Sequence, residues 1–292
     1  MDAIIPLEIN HSFIIDDHID HKYNIASFKQ ALDHDINRVF NLREDYPIRI
    51  VFYELEKHSY LLINIHHIAF DGWSTDILLK ELNHIYESLI VNKAIHLPEL
   101  SIQYKDFAIW QKGYLTGSVL DNQIDYWQDK LQGIESLAFP TDYPRPAQID
   151  YSGADLSFSL DKELSQQLKD LSQEKGCTLY STLLTGFYIL LHKYTSQEAI
   201  IIGTPIANRH FSQLEDLIGF FVNSLPIAQV IQGSENTSDL MTKVHQGVIE
   251  AQSHQDIPFE KIVEVLDVKQ ASSRHPIFQV MFGLQNFGTS TS

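Results

Sequence analysis

The chain has 292 residues, of which 44% are apolar and 20% charged. That is enough hydrophobic material for a sizeable core and excludes a disordered chain. The 38 Asp and Glu against 21 Lys and Arg leave a formal charge of −17, a field that repels phosphates and argues against nucleic-acid or anionic-membrane partners. A single cysteine, Cys177, excludes a disulfide framework and a thiolate zinc site. The first residues have no basic flank or apolar stretch of signal-peptide length, and apolar runs such as 187–191 are too short to span a bilayer. A reducing, cytoplasmic compartment is expected, and the length suggests about two domains.

Residues 48–55 and 59–65 read as two strands of a hairpin turned at Lys57-His58. The second is apolar at nearly every position and is expected to be central, covered on both faces. A helix follows with Ser74 as its N-cap and Ile77, Leu78, Leu82, Ile85 and Leu89 as one stripe. Two more helices are expected over 104–115 and 120–132, the latter with Leu120, Ile124, Trp127 and Leu131 at helical spacing. Prolines 140, 144 and 146 mark 138–153 as a linker. Beyond it come a strand near 155–160, a helix carrying Leu164, Leu168 and Leu171, an apolar helix over 178–194, and strands at 199–204 and 225–231. Helices at 238–252 and 258–267 follow, the second with Pro258 in its first turn, and 277–284 closes the series as a strand. The mixture lacks one strict βαβ period and predicts an α/β fold of two mixed layers rather than a barrel. The expected division is a first lobe over 1–137, the linker, and a second lobe over 154–292.

The most informative string is His66-His67-Ile68-Ala69-Phe70-Asp71-Gly72. It lies between a strand and a helix, where active-site loops belong. Successive strand side chains point to opposite faces, which weakens a metal site built from His66, His67 and Asp71 and leaves one histidine for a cleft and one for a core. A single cleft histidine suits general-base work. Asp71 is expected to orient that imidazole directly or to hold the loop by pairing with an arginine, and Gly72 removes a side chain where a substrate could pass. The competing reading is a core histidine beside a surface one, with Asp-Gly as a turn. The other twelve histidines read as solvated. No GxSxG elbow, Walker loop or GxGxxG string occurs, and Cys177, before an apolar helix, reads as core rather than nucleophile.

The stretch His66–Ser74 resembles the HHxxxDG motif of the condensation domains of nonribosomal peptide synthetases. The strings YKDFAIWQ (104–111), IGFFVNSL (218–225) and HQDIPFE with PIFQVMF (254–260 and 276–282) resemble further motifs of that family, as do TDYPRP (141–146) and GTPIANR (203–209). All stand in family order from about residue 40 to residue 286. The resemblance implies a chloramphenicol acetyltransferase-like fold, two lobes in a V with a tunnel between them. It also implies an acyltransferase that forms an amide bond between a carrier-bound acyl or peptidyl thioester and a carrier-bound aminoacyl acceptor. Implied partners are donor and acceptor carrier proteins, whose phosphopantetheine arms carry the substrates, and an adjacent adenylation domain. No bound cofactor or metal is implied for this chain.

The resemblance implies His67 as the catalytic residue, either taking the amine proton or positioning the amine and stabilising the tetrahedral intermediate. His66, Asp71, Gly72 and Arg209 support it, with Asp71 matching an aspartate that pairs with an arginine and Arg209 standing where that partner commonly lies. Trp73, Ser74 and Asn223 would line the substrate channel. Tyr104, Trp110 and Trp127 read as core, and Phe220, Phe221 and Val222 as buried strand. The second histidine argues against a cyclisation domain and Gly72 against an epimerisation domain. Motifs expected before His66 and after Phe282 have no counterpart, so a central domain fragment with an incomplete first lobe and exposed apolar surface is expected. Two other functions stay open: a non-catalytic carrier-binding remnant, and a standalone acyltransferase using coenzyme A thioesters.

Overall fold

A computed structural model of the chain describes residues 25–267 and 273–285. Its described residues form two compact units: 25–82 together with Ile218–Phe220, and Asn83–Leu217 together with those that follow from Phe221. The Pro-rich segment 138–153 runs through the second. No helix of the described residues is long and apolar enough to cross a membrane.

The first unit opens with α1 (Ile25–Asn37), a helix that the apolar periodicity does not announce. The hairpin of β1 (Ile48–Glu54) and β2 (Ser59–Ile65) is antiparallel, Ile48 opposite Ile65 and Glu54 opposite Ser59, as the β-branched pattern predicts. On one face Tyr53 and Tyr60 meet the Phe28 ring at 5.3 and 4.7 Å between centroids, and Asn64 Nδ2 donates to the carbonyls of Asp35 and Ile36, 3.2 Å each. On the other face Phe52 and Leu61 are 48% and 49% exposed. The expectation that β2 is covered on both faces is therefore corrected. A continuous apolar run says how hydrophobic a strand is but not which face finds a partner. Past β2 come a single 3-10 turn, His67–Ala69, and α2 (Gly72–Ile90), within which the first unit gives way to the second.

The second unit continues with α3 (Tyr104–Tyr114), α4 (Gly117–Leu131), α5 (Lys162–Glu174), α6 (Leu179–Thr195), β3 (Ala199–Ile206), the short α7 (Ser212–Glu215), β4 (Asn223–Val230), α8 (Thr237–Ser253) and α9 (Phe259–Val265). β3 and β4 pair antiparallel, Ala199 opposite Val230 and Ile206 opposite Asn223. Ile200, Ile201, Ile202, Leu225 and Ile227 are buried among Trp127 and Leu131 of α4, Leu184, Tyr188 and Leu191 of α6, Val244 and Val248 of α8, and Ile262 of α9. Trp127 and Leu131 belong to the stripe read from the sequence, with Leu120 and Ile124 packed against the same core, whereas Leu89 and Leu164 of the other stripes are exposed. Side chains of Asp161, Thr178 and Asn236 cap α5, α6 and α8 by accepting backbone N–H bonds. Pro258 is the N-cap residue of α9 rather than a first-turn residue.

Two expected strands do not form. Residues 151–161 are irregular, with Leu156 and Phe158 90% and 82% exposed. Their alternation suits a strand, but no described segment offers them an edge. The 277–284 strand reduces to one parallel bridge between Gly203 and Met281, flanked by Gly203 N–H donating to Val280 O (3.0 Å) and Phe282 N–H to Gly203 O (2.9 Å). Ile277 has φ +64, a left-handed conformation that breaks the extended run at its first residue. Phe278 then turns onto β3, where a Cβ on Gly203 would press into its ring.

Candidate active site

β2 stops at Ile65, and the next two residues part company. His66 is extended, and its N–H donates to Pro47 O at 2.8 Å. Its Nδ1 accepts the Ile68 N–H at 3.0 Å, capping the 3-10 turn, and its ring stands edge-on to Phe40, 5.7 Å between centroids. The turn carries His67 to the surface. Its Nδ1 lies 2.8 Å from the Phe70 carbonyl oxygen. A carbonyl can only accept, so Nδ1 holds the proton and, in the neutral ring, Nε2 presents its lone pair. His66 is half-buried and tied to the backbone on both sides, while His67 is exposed. The group on Nδ1 is the backbone carbonyl of Phe70, so the 3-10 turn itself fixes that side of the imidazole.

Asp71 is 1% exposed and precedes the first residue of α2, Gly72. Its Oδ1 accepts the Ser74 N–H at 2.9 Å and the Ser74 hydroxyl at 2.7 Å. Asp71, not Ser74, is therefore the N-cap, and its charge also suits the positive end of the helix dipole. Both residue types cap well, and only the three-residue offset decides between them. Ser74 is fully buried, so it has no surface with which to line a channel. Its Oγ accepts the Gly219 N–H at 3.1 Å. Next to Gly219, Phe220 is 38% exposed rather than buried, and its ring meets that of His67 at 5.7 Å and 78°, a favourable edge geometry. The proximity of Phe220 to His67 carried no signal in the sequence, because 145 positions separate Ser74 from Gly219. Trp73 is exposed on the first turn of α2.

In the second unit Arg209 is 7% exposed, against the surface position that is the default for arginine. Its Nη1 donates to the carbonyls of Leu214 and Leu217, 2.6 Å each, and its guanidinium lies 4.1 Å from the Phe221 ring centroid. Asn223 is a clamp. Nδ2 donates to Gln255 O (2.9 Å) and Ile257 O (2.8 Å), and Oδ1 accepts from Phe259 N–H (3.0 Å) and Ser224 N–H (2.9 Å). Those four bonds use its whole capacity and leave nothing for a substrate. Trp127 is core, its Nε1–H donating to His254 O at 2.9 Å, whereas Tyr104 and Trp110 are partly exposed. Of the histidines read as solvated, His254 stacks on Tyr126 at 3.8 Å and His245 shares a 3.1 Å hydrogen bond with Ser181.

Residues 6–292 match the profile of the condensation-domain family, a longer span than the motifs mark out, and one that includes α1. The chain is 44% identical over 250 residues to a linear gramicidin synthase protein of Brevibacillus parabrevis, and 37% identical over 270 residues to gramicidin S synthase 2 of Brevibacillus brevis. These alignments take in 85% and 91% of this chain but only 5% and 6% of the two synthases. Among solved structures, the X-domain from teicoplanin biosynthesis superposes with a TM-score of 0.81 at 26% identity, covering 89% of this chain and 59% of that one. With the HHxxxDG string on a turn that presents one imidazole, and with a profile match over nearly its whole length, this chain belongs to the condensation-domain family of the nonribosomal peptide synthetases.

Proposed function

We propose that the chain forms an amide bond between a carrier-bound acyl or peptidyl thioester and the amine of a carrier-bound aminoacyl thioester, with His67 as the catalytic residue. The observation that supports this reading most is the 2.8 Å approach of His67 Nδ1 to the Phe70 carbonyl, which assigns the proton to Nδ1 and leaves Nε2 as the acceptor of a neutral, exposed ring. A neutral Nε2 accepts a proton, so it acts on the attacking amine rather than on the oxyanion, which needs a donor. The acceptor nitrogen attacks the thioester carbonyl carbon, and Nε2 takes an amine proton as the C–N bond forms. The tetrahedral intermediate collapses with cleavage of the C–S bond, and the proton passes to the departing pantetheine sulfur. Asp71 supports this by starting α2 at a fixed place after the histidine turn, and Gly72 by keeping the first helical position free of a side chain. The phosphopantetheine arms are substrate carriers, supplied by donor and acceptor carrier proteins of the same synthetase, next to an adenylation domain, in the cytoplasm.

The test pairs the purified chain with loaded donor and acceptor carriers and follows the condensed product by mass spectrometry, with His67→Ala as the control. Product with the native chain and none with His67→Ala supports the reading. Carrier binding without product would favour a docking remnant, and equal turnover of coenzyme A thioesters would favour a standalone acyltransferase.

A further inference from the structure

We propose that Ser74 and Phe220 are positioning residues that hold the His67 imidazole in the orientation from which Nε2 works. This rests on the catalytic reading of His67 given above. The three residues Ile218–Phe220 belong to the first compact unit, while the residues on either side of them in the chain belong to the second. Something must seat so short a stretch, and the Ser74 hydroxyl is placed to do it. It donates to Asp71 Oδ1 at 2.7 Å and accepts from Gly219 N–H at 3.1 Å, in a site with no exposed surface. One hydroxyl thus joins the cap of α2 to the peptide that carries Phe220. The Phe220 ring in turn stands against the His67 ring with planes 78° apart.

The arrangement matters because His67 has few other restraints. It sits in a three-residue 3-10 turn, and its ring is held by one hydrogen bond to a carbonyl three residues on. A half-turn about the Cβ–Cγ bond would exchange Nδ1 with Cδ2, break the bond to Phe70 O and move Nε2 away from its place. The aromatic wall at Phe220 opposes that rotation. Ser74 therefore acts through Phe220, and Phe220 acts through His67, with neither needing to touch the reacting atoms.

The experiment reads the imidazole directly. Nitrogen-15 spectra of the labelled chain are recorded at a pH where the ring is neutral, with the His67 signals identified by their loss in His67→Ala. The native chain should show one nitrogen protonated and the other bare. Ser74→Ala and Phe220→Leu should each draw the two shifts together, as in a mixture of tautomers. With loaded carriers kcat should fall on the order of tenfold while KM for the acceptor holds, since displacement of a catalytic group acts on the chemical step. Phe220→Tyr keeps the ring and should behave as the native chain. The proposal is overturned if Ser74→Ala and Phe220→Leu keep the native spectrum and kcat, or if Phe220→Tyr falls as far as Phe220→Leu. Should Ser74→Ala fail to fold by circular dichroism, the two variants at Phe220 decide alone. If His67→Ala turns over normally, the catalytic reading fails while the spectra still decide whether the ring is positioned.

Discussion

Replacing Asn223 with alanine separates a clamp from a substrate contact. The substitution removes two donated and two accepted hydrogen bonds, three of them to the 255–259 segment that leads into α9. Each is worth about 1 kcal/mol net, and a buried group left without a partner costs about 1–3 kcal/mol more. Asn223 is 8% exposed and Ile257 fully buried, so water reaches these groups poorly. The expected loss is about 3–5 kcal/mol, a large share of a typical folding stability of roughly 5–15 kcal/mol. Urea denaturation should show a lower midpoint with an unchanged slope, and turnover should fall only in proportion to the unfolded fraction. Asn223→Asp should be worse still at neutral pH, because a carboxylate would face two carbonyl oxygens. Its deficit should shrink in acid, where the protonated carboxyl can donate. An Asn223→Ala chain with native stability and no turnover would refute the clamp and return Asn223 to the substrate.

Gly203→Ala should cost about 1–3 kcal/mol by overpacking, since its Cβ would press on the Phe278 ring, and the added change Phe278→Leu should recover part of the loss in thermal melts. Arg209→Ala leaves the carbonyls of Leu214 and Leu217 without their buried donor and should lower the urea midpoint by the equivalent of about 2–3 kcal/mol. Glu250 is held below its ordinary carboxylate value by Lys130 first and then by Gln246. A depressed acid contributes stability above its unfolded pKa, about 4.3, and loses it as pH falls through the folded value. Lys130→Met should therefore differ from the native chain slightly at pH 7, by less than about 1 kcal/mol for so exposed a pair, and not at all in acid. Measurement of both midpoints across that range checks the sign.

Long periodic segments were legible in the sequence. The stripe of α4, the apolar helix α6 and the isoleucine run of β3 appear where their apolar residues place them, because burial decides such elements and is written locally. The site was legible to the level of its motif, a histidine pair between a strand and a helix, but which ring is exposed was not. What the sequence did not disclose depends on contacts or torsions without a local signature. The left-handed Ile277 ended an otherwise convincing strand. The N-cap shifted from Ser74 to Asp71 because two capping residues stand three apart. The use of Asn223 depended on a segment more than thirty positions away, and the place of Phe220 on a bond between Ser74 and a distant glycine. α1 was passed over because its polar residues dilute the stripe started by Phe28 and Leu32.

The proposed chemistry turns on an unprotonated Nε2 on His67. A single-turnover experiment probes it without intermediaries: the chain is mixed with preloaded donor and acceptor carriers and condensed product is measured with time, for the native protein, His66→Ala and His67→Ala. Product is expected from the native chain, reduced but measurable product from His66→Ala in step with its stability, and none above the uncatalysed background from His67→Ala. A folded His67→Ala chain that condenses its substrates at the native rate would remove the imidazole from the reaction.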